Sequence, residues 1–363
     1  MAKGSSVRYR LKIDQQERKD GKIQLTVTIP PETLDTVMKS AAYVLALHNK
    51  VDLAGFKMDE LIPYVVDKVG EAQYLAFANQ YVMSAAAPHA ISQKNIEPIM
   101  EPELKSLGEL IPGTDFSFVA VVSPKPYFEL SSYEPVTVKI PKITVTEKEI
   151  DEQILFLAQR HAKIVVEEGS ERLEEENRVV PAITDAWVKD NMPELENVDG
   201  LREMLREQGI EFKTKEQEGM ELFATASALA ERFEGVIADE IYEFMRSDML
   251  ANIAEELRQN GTTLEQYVKN MGVEMQQFQM MLMMQVRETL RQSFALDALA
   301  RHLKITITDE DISEALTRMT PGNEERALLE FEESGRMYML REFATRTKAN
   351  QWLVQTATFE VLE

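Results

Sequence analysis

An α+β chain is expected, with strands and helices mixed in its first part and helices alone after about Ile143. Two observations lead there. Residues 7–13 (VRYRLKI) and 22–29 (KIQLTVTI) alternate apolar and polar side chains, the period of a half-buried strand. Beyond residue 143 the apolar residues recur at i, i+3, i+4 and i+7 over long stretches, the period of a helix with one buried face.

Asp20-Gly21 lies between the two alternating runs and makes them a hairpin. Pro30 and Pro31 stop the second strand and open a helix with Leu34, Val37, Met38, Ala41, Val44 and Leu45 on one face. A loop, VDLAGFKMDELIP, comes next, and then two helical stretches through Ser92. Strands return at residues 116–122 and 136–140, separated by the proline-marked SPKPYFEL. Thr146 and Glu149 form a capping box that opens a helix carrying Ile150, Ile154, Leu157 and Ala158. Residues 263–266 and 308–311 are two more helix starts. Periodic segments cover 198–233, 239–260, 274–303 and 334–361, with Gly261 and Gly272 at helix ends. The Glu-rich stretch from 165 to 193 reads as a connector.

The 363 residues allow two or three domains. With 44% hydrophobic and 28% charged residues the chain is an ordinary globular one. It has no cysteine, so neither disulfides nor thiol chemistry. No apolar run approaches the roughly 18 residues of a membrane span. The basic N-terminus, MAKGSSVRYRLKI, lacks the apolar core of a secretory signal. A cytoplasmic protein without a membrane partner is expected. The net charge of −22 repels phosphate backbones and argues against direct DNA binding. It also keeps a protein with exposed apolar surface in solution.

Three stretches, in order, resemble bacterial trigger factor, the chaperone that docks at the ribosomal exit tunnel. Ala54-Gly55-Phe56-Lys57 with Pro63 resembles the family's Gly-Phe-Arg ribosome-binding loop. Gly113-Thr114-Asp115-Phe116, running on through VSPKPYFELSSYEPVTVKIPKITVTEKEIDEQI, is similar to the end of the family's N-terminal domain and its exit helix. EELRQNGTTLEQYVKNMGVEMQQF and LDALARHLKITITDEDI are similar to its helical C-terminal domain. The resemblance implies a mixed, ribosome-binding-like N-terminal domain over 1–130. It implies an elongated, mostly α-helical chaperone domain with arms over 131–363, interrupted by the 165–193 connector.

Two departures bear on function. The family carries a prolyl isomerase domain of the FK506-binding type after the helix that begins near Thr146. Here PAITDAWVKDNMPE, similar to the family's segment just beyond the isomerase, arrives too soon for a small barrel. Trp187 therefore reads as a helix-packing residue of the connector rather than a pocket aromatic. In the loop, the family's arginine is Lys57, which keeps the charge but loses the planar fork. Asp59 and Glu60 stand where a second base is expected, and carboxylates there repel RNA. Two readings stay open: Gly55, Phe56 and Lys57 still dock on the ribosome, or Phe56 tucks into its own domain and Lys57 is solvated.

Residues 275–284 read MQQFQMMLMM, five methionines in ten and no charge. On a helix, Met275, Phe278, Leu282 and Val286 share one face, which is a core stripe. Met280 and Met284 fall on the opposite side, with Met281 and Met283 on the flanks. Either this helix is buried on both faces, or these methionines are offered to clients. Methionine is unbranched and polarisable, so it repacks against unrelated side chains.

Nothing in the sequence is a catalytic constellation. His48, His89, His161 and His302 are scattered, and no zinc, nucleophile-elbow, Walker or dinucleotide pattern occurs. No catalytic residue, cofactor or metal is expected. The resemblance implies an ATP-independent holdase or foldase for nascent or unfolded polypeptides, with the ribosome and a homodimer as further candidate partners. Two alternatives are a dedicated escort for one partner and a prolyl isomerase with an unrecognised site.

Overall fold

The computed structural model describes residues 9–53, 60–161, 163–164 and 178–362. Contacts gather the chain into two compact units, Met1–Tyr133 with Leu229–Asn350 and Glu134–Ala228 with Gln351–Glu363.

The first unit begins with β1 (Lys12–Glu17) and β2 (Ile23–Ile29), an antiparallel pair with Lys12 opposite Thr28. The strand lies later than the alternating stretch at 7–13. It is a sheet edge, mostly exposed, and ladder hydrogen bonds rather than apolar burial hold it. Periodicity therefore reached only the first two residues of the strand, Lys12 and Ile13, while residues 7 and 8 lie outside the described ones. The turn closes where the Arg18 N–H donates to the Lys22 carbonyl at 2.9 Å, with Gly21 at φ +78°.

Helices α1 (Pro31–His48), α2 (Leu61–Val69) and α3 (Glu71–Gln93) come next, then β3 (Glu103–Ser106) and β4 (Phe116–Val122). The sheet order is β1-β2-β4-β3, antiparallel throughout. Leu25, Val27 and Ile29 pair with Ala120, Phe118 and Phe116 and are buried with them on one face. Helices α1 and α3 complete this core. Ala78, Ala86 and Ala90 of α3 are small enough for close helix packing, and the buried Tyr74 hydroxyl donates to the Met38 carbonyl at 3.2 Å.

The remaining elements, in chain order, are β5 (Glu129–Leu130), β6 (Thr137–Pro141), α4 (Glu147–Arg160), β7 (Lys163–Ile164), β8 (Arg178–Val179), α5 (Asp185–Asn191), α6 (Val198–Ala230) and β9 (Phe233–Glu234). Then come α7 (Asp239–Gln259), α8 (Leu264–Asn270), α9 (Met275–His302), α10 (Asp309–Met319), α11 (Glu324–Glu333), α12 (Met337–Thr356) and β10 (Thr358–Leu362).

In the second unit, α4 starts at the expected capping box: the Thr146 N–H donates to Glu149 at 2.8 Å and the Glu149 N–H donates to the Thr146 hydroxyl at 3.3 Å. Charge pairs tie α4 to α6. Arg202 reaches Glu147 at 2.6 Å and Asp151 at 2.7 Å, and Lys213 reaches Glu149 at 2.6 Å. Lys213, and then the Thr146 cap, hold the Glu149 carboxyl down to about 2. Strands β6 and β10 pair in parallel, Thr137 opposite Thr358. The segment expected to be helical to residue 361 thus ends its helix at Thr356. A pairing between residues so far apart in the chain leaves no mark on local periodicity. Strand β7, just before the connector, pairs with β8 inside it, with Lys163 opposite Val179. Trp187, on α5, packs edge-on to His161 at 5.1 Å.

In the first unit, Thr263 with Gln266 and Thr308 with Asp311 form the two expected caps. Gly261 and Gly272 end their helices at φ +69° and +71°, the left-handed region that glycine enters without strain. No described helix is long and apolar enough to cross a membrane.

Candidate functional site

Helix α9 has two unlike halves. From Phe294 to Ala300 every residue is buried, so this half runs through the core of its unit. Phe128 packs there, its ring 4.9 Å from Phe294 and 4.7 Å from Phe233. The N-terminal half buries one stripe only, Phe278, Leu282 and Val286, with Met275 half-buried at its start. Tyr267 of α8 meets Phe278 edge-on at 6.3 Å.

Opposite that stripe, Met280 is 68% exposed, Met284 67% and Met281 50%. Met283 is half-buried on the other flank. Of the two arrangements open from the sequence, burial on both faces is not the one adopted. Met280, Met281 and Met284 each leave half or more of their surface in water, apolar area whose burial would contribute about 25 cal/mol per Å². Such a cluster is costly to leave in water and ready to be covered.

The far half of α9 is anchored by charge. Asp297 is buried and receives two hydrogen bonds from Arg346, at 2.9 and 2.8 Å, and Lys125 Nζ at 2.6 Å. Lys125 also reaches Glu342 at 2.7 Å. Burial alone would push the Asp297 carboxyl up; the Arg346 and Lys125 contacts outweigh it and hold it below its ordinary value. Arg291 donates to the Ala230 carbonyl at 3.1 Å and Arg301 to the Phe128 carbonyl at 2.5 Å. The methionine face therefore stands on a helix whose other end is fixed.

Sequence reasoning missed this anchor. Its signal was Asp297, one acid inside the apolar run FALDALA. It also missed Phe212 and Phe223 on α6, 62% and 60% exposed. Their spacing of roughly three turns puts both on one side of that helix. The stretch Gly55-Phe56-Lys57, expected to dock on the ribosome, lies outside the described residues, as does Asp59. Glu60 is described: it is exposed and precedes α2 as its N-cap residue. Among the described residues no three His, Asp or Glu side chains gather as metal ligands would.

Comparison with known families adds the decisive observation. The family described as Bacterial trigger factor protein (TF) matches residues 11–156, and Bacterial trigger factor protein (TF) C-terminus matches residues 197–355. This chain belongs to the bacterial trigger factor family. Trigger factor 1 of Desulfitobacterium hafniense (strain Y51) is 21% identical over 421 residues, covering 92% of this chain and 97% of the relative. That alignment is longer than the chain itself, so the relative carries residues with no counterpart here. The trigger factor of Lysinibacillus sphaericus (strain C3-41) is 23% identical over 84% of this chain and 89% of its own length. A solved trigger factor chaperone chain, described for promiscuous substrate recognition in folding and assembly activities, is 18% identical. It covers 95% of this chain and 99% of that one with a TM-score of 0.39, too low to carry structural detail. Between the two family matches, residues 157–196 match no isomerase-type family.

Proposed function

We propose that this chain is an ATP-independent chaperone that holds exposed apolar segments of nascent or unfolded polypeptides on the methionine face of α9. The observation that carries the reading is the joint exposure of Met280, Met281 and Met284 on a helix fixed at its other end. Met283, half-buried beside them, widens the face. Methionine side chains adapt to unrelated partners, so one face serves many clients. Each contact is weak, and holding comes from several contacts along one unfolded chain. The exposed Phe212 and Phe223 are a second set of such contacts.

In this reading residues 131–363 bind clients and residues 1–130 dock, through Gly55, Phe56 and Lys57, on the ribosome. The protein works in the cytoplasm and without an enzymatic step, because the segment between the two family matches is too short for an isomerase barrel. A homodimer would cover the same face and compete with clients. The test is suppression of aggregation of a chemically unfolded client without nucleotide. Suppression at equimolar protein supports the reading, and none at several-fold excess sinks it.

A further inference from the structure

We infer that Met280, Met281 and Met284 form an oxidation site through which a hypohalous acid turns the client-binding face off, reversibly. The inference rests on the client-binding reading of that face and adds its regulation.

Four observations carry it. Three thioethers at i, i+1 and i+4 of one helix are half or more exposed, so an oxidant in solution reaches them together. The chain has no cysteine, so no thiol of its own consumes the oxidant first. Met38 and Met83 are buried in the N-terminal core and Met100, Met245, Met249 and Met337 are partly buried against other cores, so the same reagent reaches them less readily than the exposed three. Among the described residues the other exposed methionines, Met220, Met271, Met319 and Met339, stand singly, far apart in the chain.

The chemistry closes. The sulfur takes the oxygen of hypochlorous acid, the O–Cl bond breaks, chloride leaves with the electron pair, and the hydroxyl proton passes to water. Sulfur is oxidised by two electrons and the acid is reduced by two. The product sulfoxide is polar and accepts hydrogen bonds. The face then becomes an ordinary solvated helix face. A sulfoxide reductase with a dithiol restores it: the S–O bond breaks, the oxygen leaves as water, and the dithiol closes to a disulfide.

The test uses the full chain, treated with graded hypochlorous acid and quenched with free methionine before the client is added. Peptide mass spectrometry locates the added oxygens, and aggregation suppression reads the holding. A variant with Met280→Leu, Met281→Leu and Met284→Leu keeps the apolar face and cannot form these sulfoxides. The natural chain is expected to gain oxygen first at these three positions and to lose roughly tenfold in holding. Its melting transition should stay in place, and the two epimer-specific reductases should restore activity. The leucine variant should hold before and after treatment. Unchanged holding after oxidation of the three sulfurs overturns the inference and leaves the client reading standing. Equal loss in the leucine variant overturns it too, because oxidation then acts elsewhere. No holding by the untreated chain overturns both.

Discussion

Lys125 Nζ lies 2.6 Å from Asp297 Oδ2, joining the proline-flanked segment after β4 to the buried half of α9. Arg346 and Glu342 of α12 complete the group, 2.5 Å apart. Glu97 stands at the margin, 3.9 Å from Lys125, so two cations face two close carboxylates and one more distant one where water is largely excluded. Taking charges from water costs several kcal/mol per ion, and only well-placed partners offset it.

The first prediction rests on that geometry. Asp297→Ala leaves Lys125 and Arg346 sharing Glu342, with Glu97 3.9 Å from Lys125, and is expected to cost about 3–5 kcal/mol in urea unfolding. Breaking the exposed Arg326–Glu330 pair with Arg326→Ala should cost about 1 kcal/mol or less. Equal effects would mean that the buried group is not an anchor.

The second concerns acid. His89 stacks on Tyr9 at 3.9 Å, and its Nε2 lies 3.1 Å from the Glu333 carbonyl, which can only accept. Burial lowers the His89 pKa, and the carbonyl opposes it only in part. Unfolded chains therefore bind this proton first as pH falls below about 6.5. The stability attached to neutral His89 is complete above that value and is lost as pH falls toward the depressed one. Asp297, also lowered, keeps its contribution above about pH 3.9 and loses it as pH falls through its own folded value. Stability measured against pH should decline in two separated steps, and His89→Phe should remove the upper one. A single acid step in both proteins would count against this assignment.

The third compares two glycines. Gly335 has φ +71°, and a Cβ there would lie 2.7 Å from His89 Cγ and 2.8 Å from the His89 backbone nitrogen. Gly261 has φ +69° with nothing within 4 Å. Both alanine substitutions should cost about 1–3 kcal/mol of backbone strain. Gly335→Ala should cost more, because a backbone atom cannot step aside. Equal losses in thermal unfolding would show that the His89 contact yields.

These elements also show what the sequence could reveal. Strand β4 was readable because Phe116, Phe118, Ala120 and Val122 alternate into the core. The caps at Thr146, Thr263 and Thr308 were readable because capping is local chemistry. Strand β1 was misplaced because an edge strand buries little, and β10 was missed because its partner β6 is remote in the chain. The face carrying Met280 was located by helical spacing, but its exposure depends on which neighbours pack against α9. Only the folded structure supplies that.

The fourth prediction concerns the stretch Gly55-Phe56-Lys57. Co-sedimentation with translating ribosomes at near-physiological salt should weaken by roughly tenfold for Phe56→Ala with Lys57→Ala. Asp59→Gly with Glu60→Lys should strengthen it, since two carboxylates facing RNA are removed. Indifference to both pairs would leave a free holdase.

The most direct measurement of the central claim compares the natural chain with Met280→Ser plus Met284→Ser in suppressing aggregation of an unfolded client. Both positions are exposed, so the variant's unfolding free energy should fall by no more than about 1 kcal/mol, the helix-propensity cost. Holding should fall several-fold at equal protein concentration. A variant that folds normally and holds as well as the natural chain would contradict the account, and the methionines would then be surface without a client.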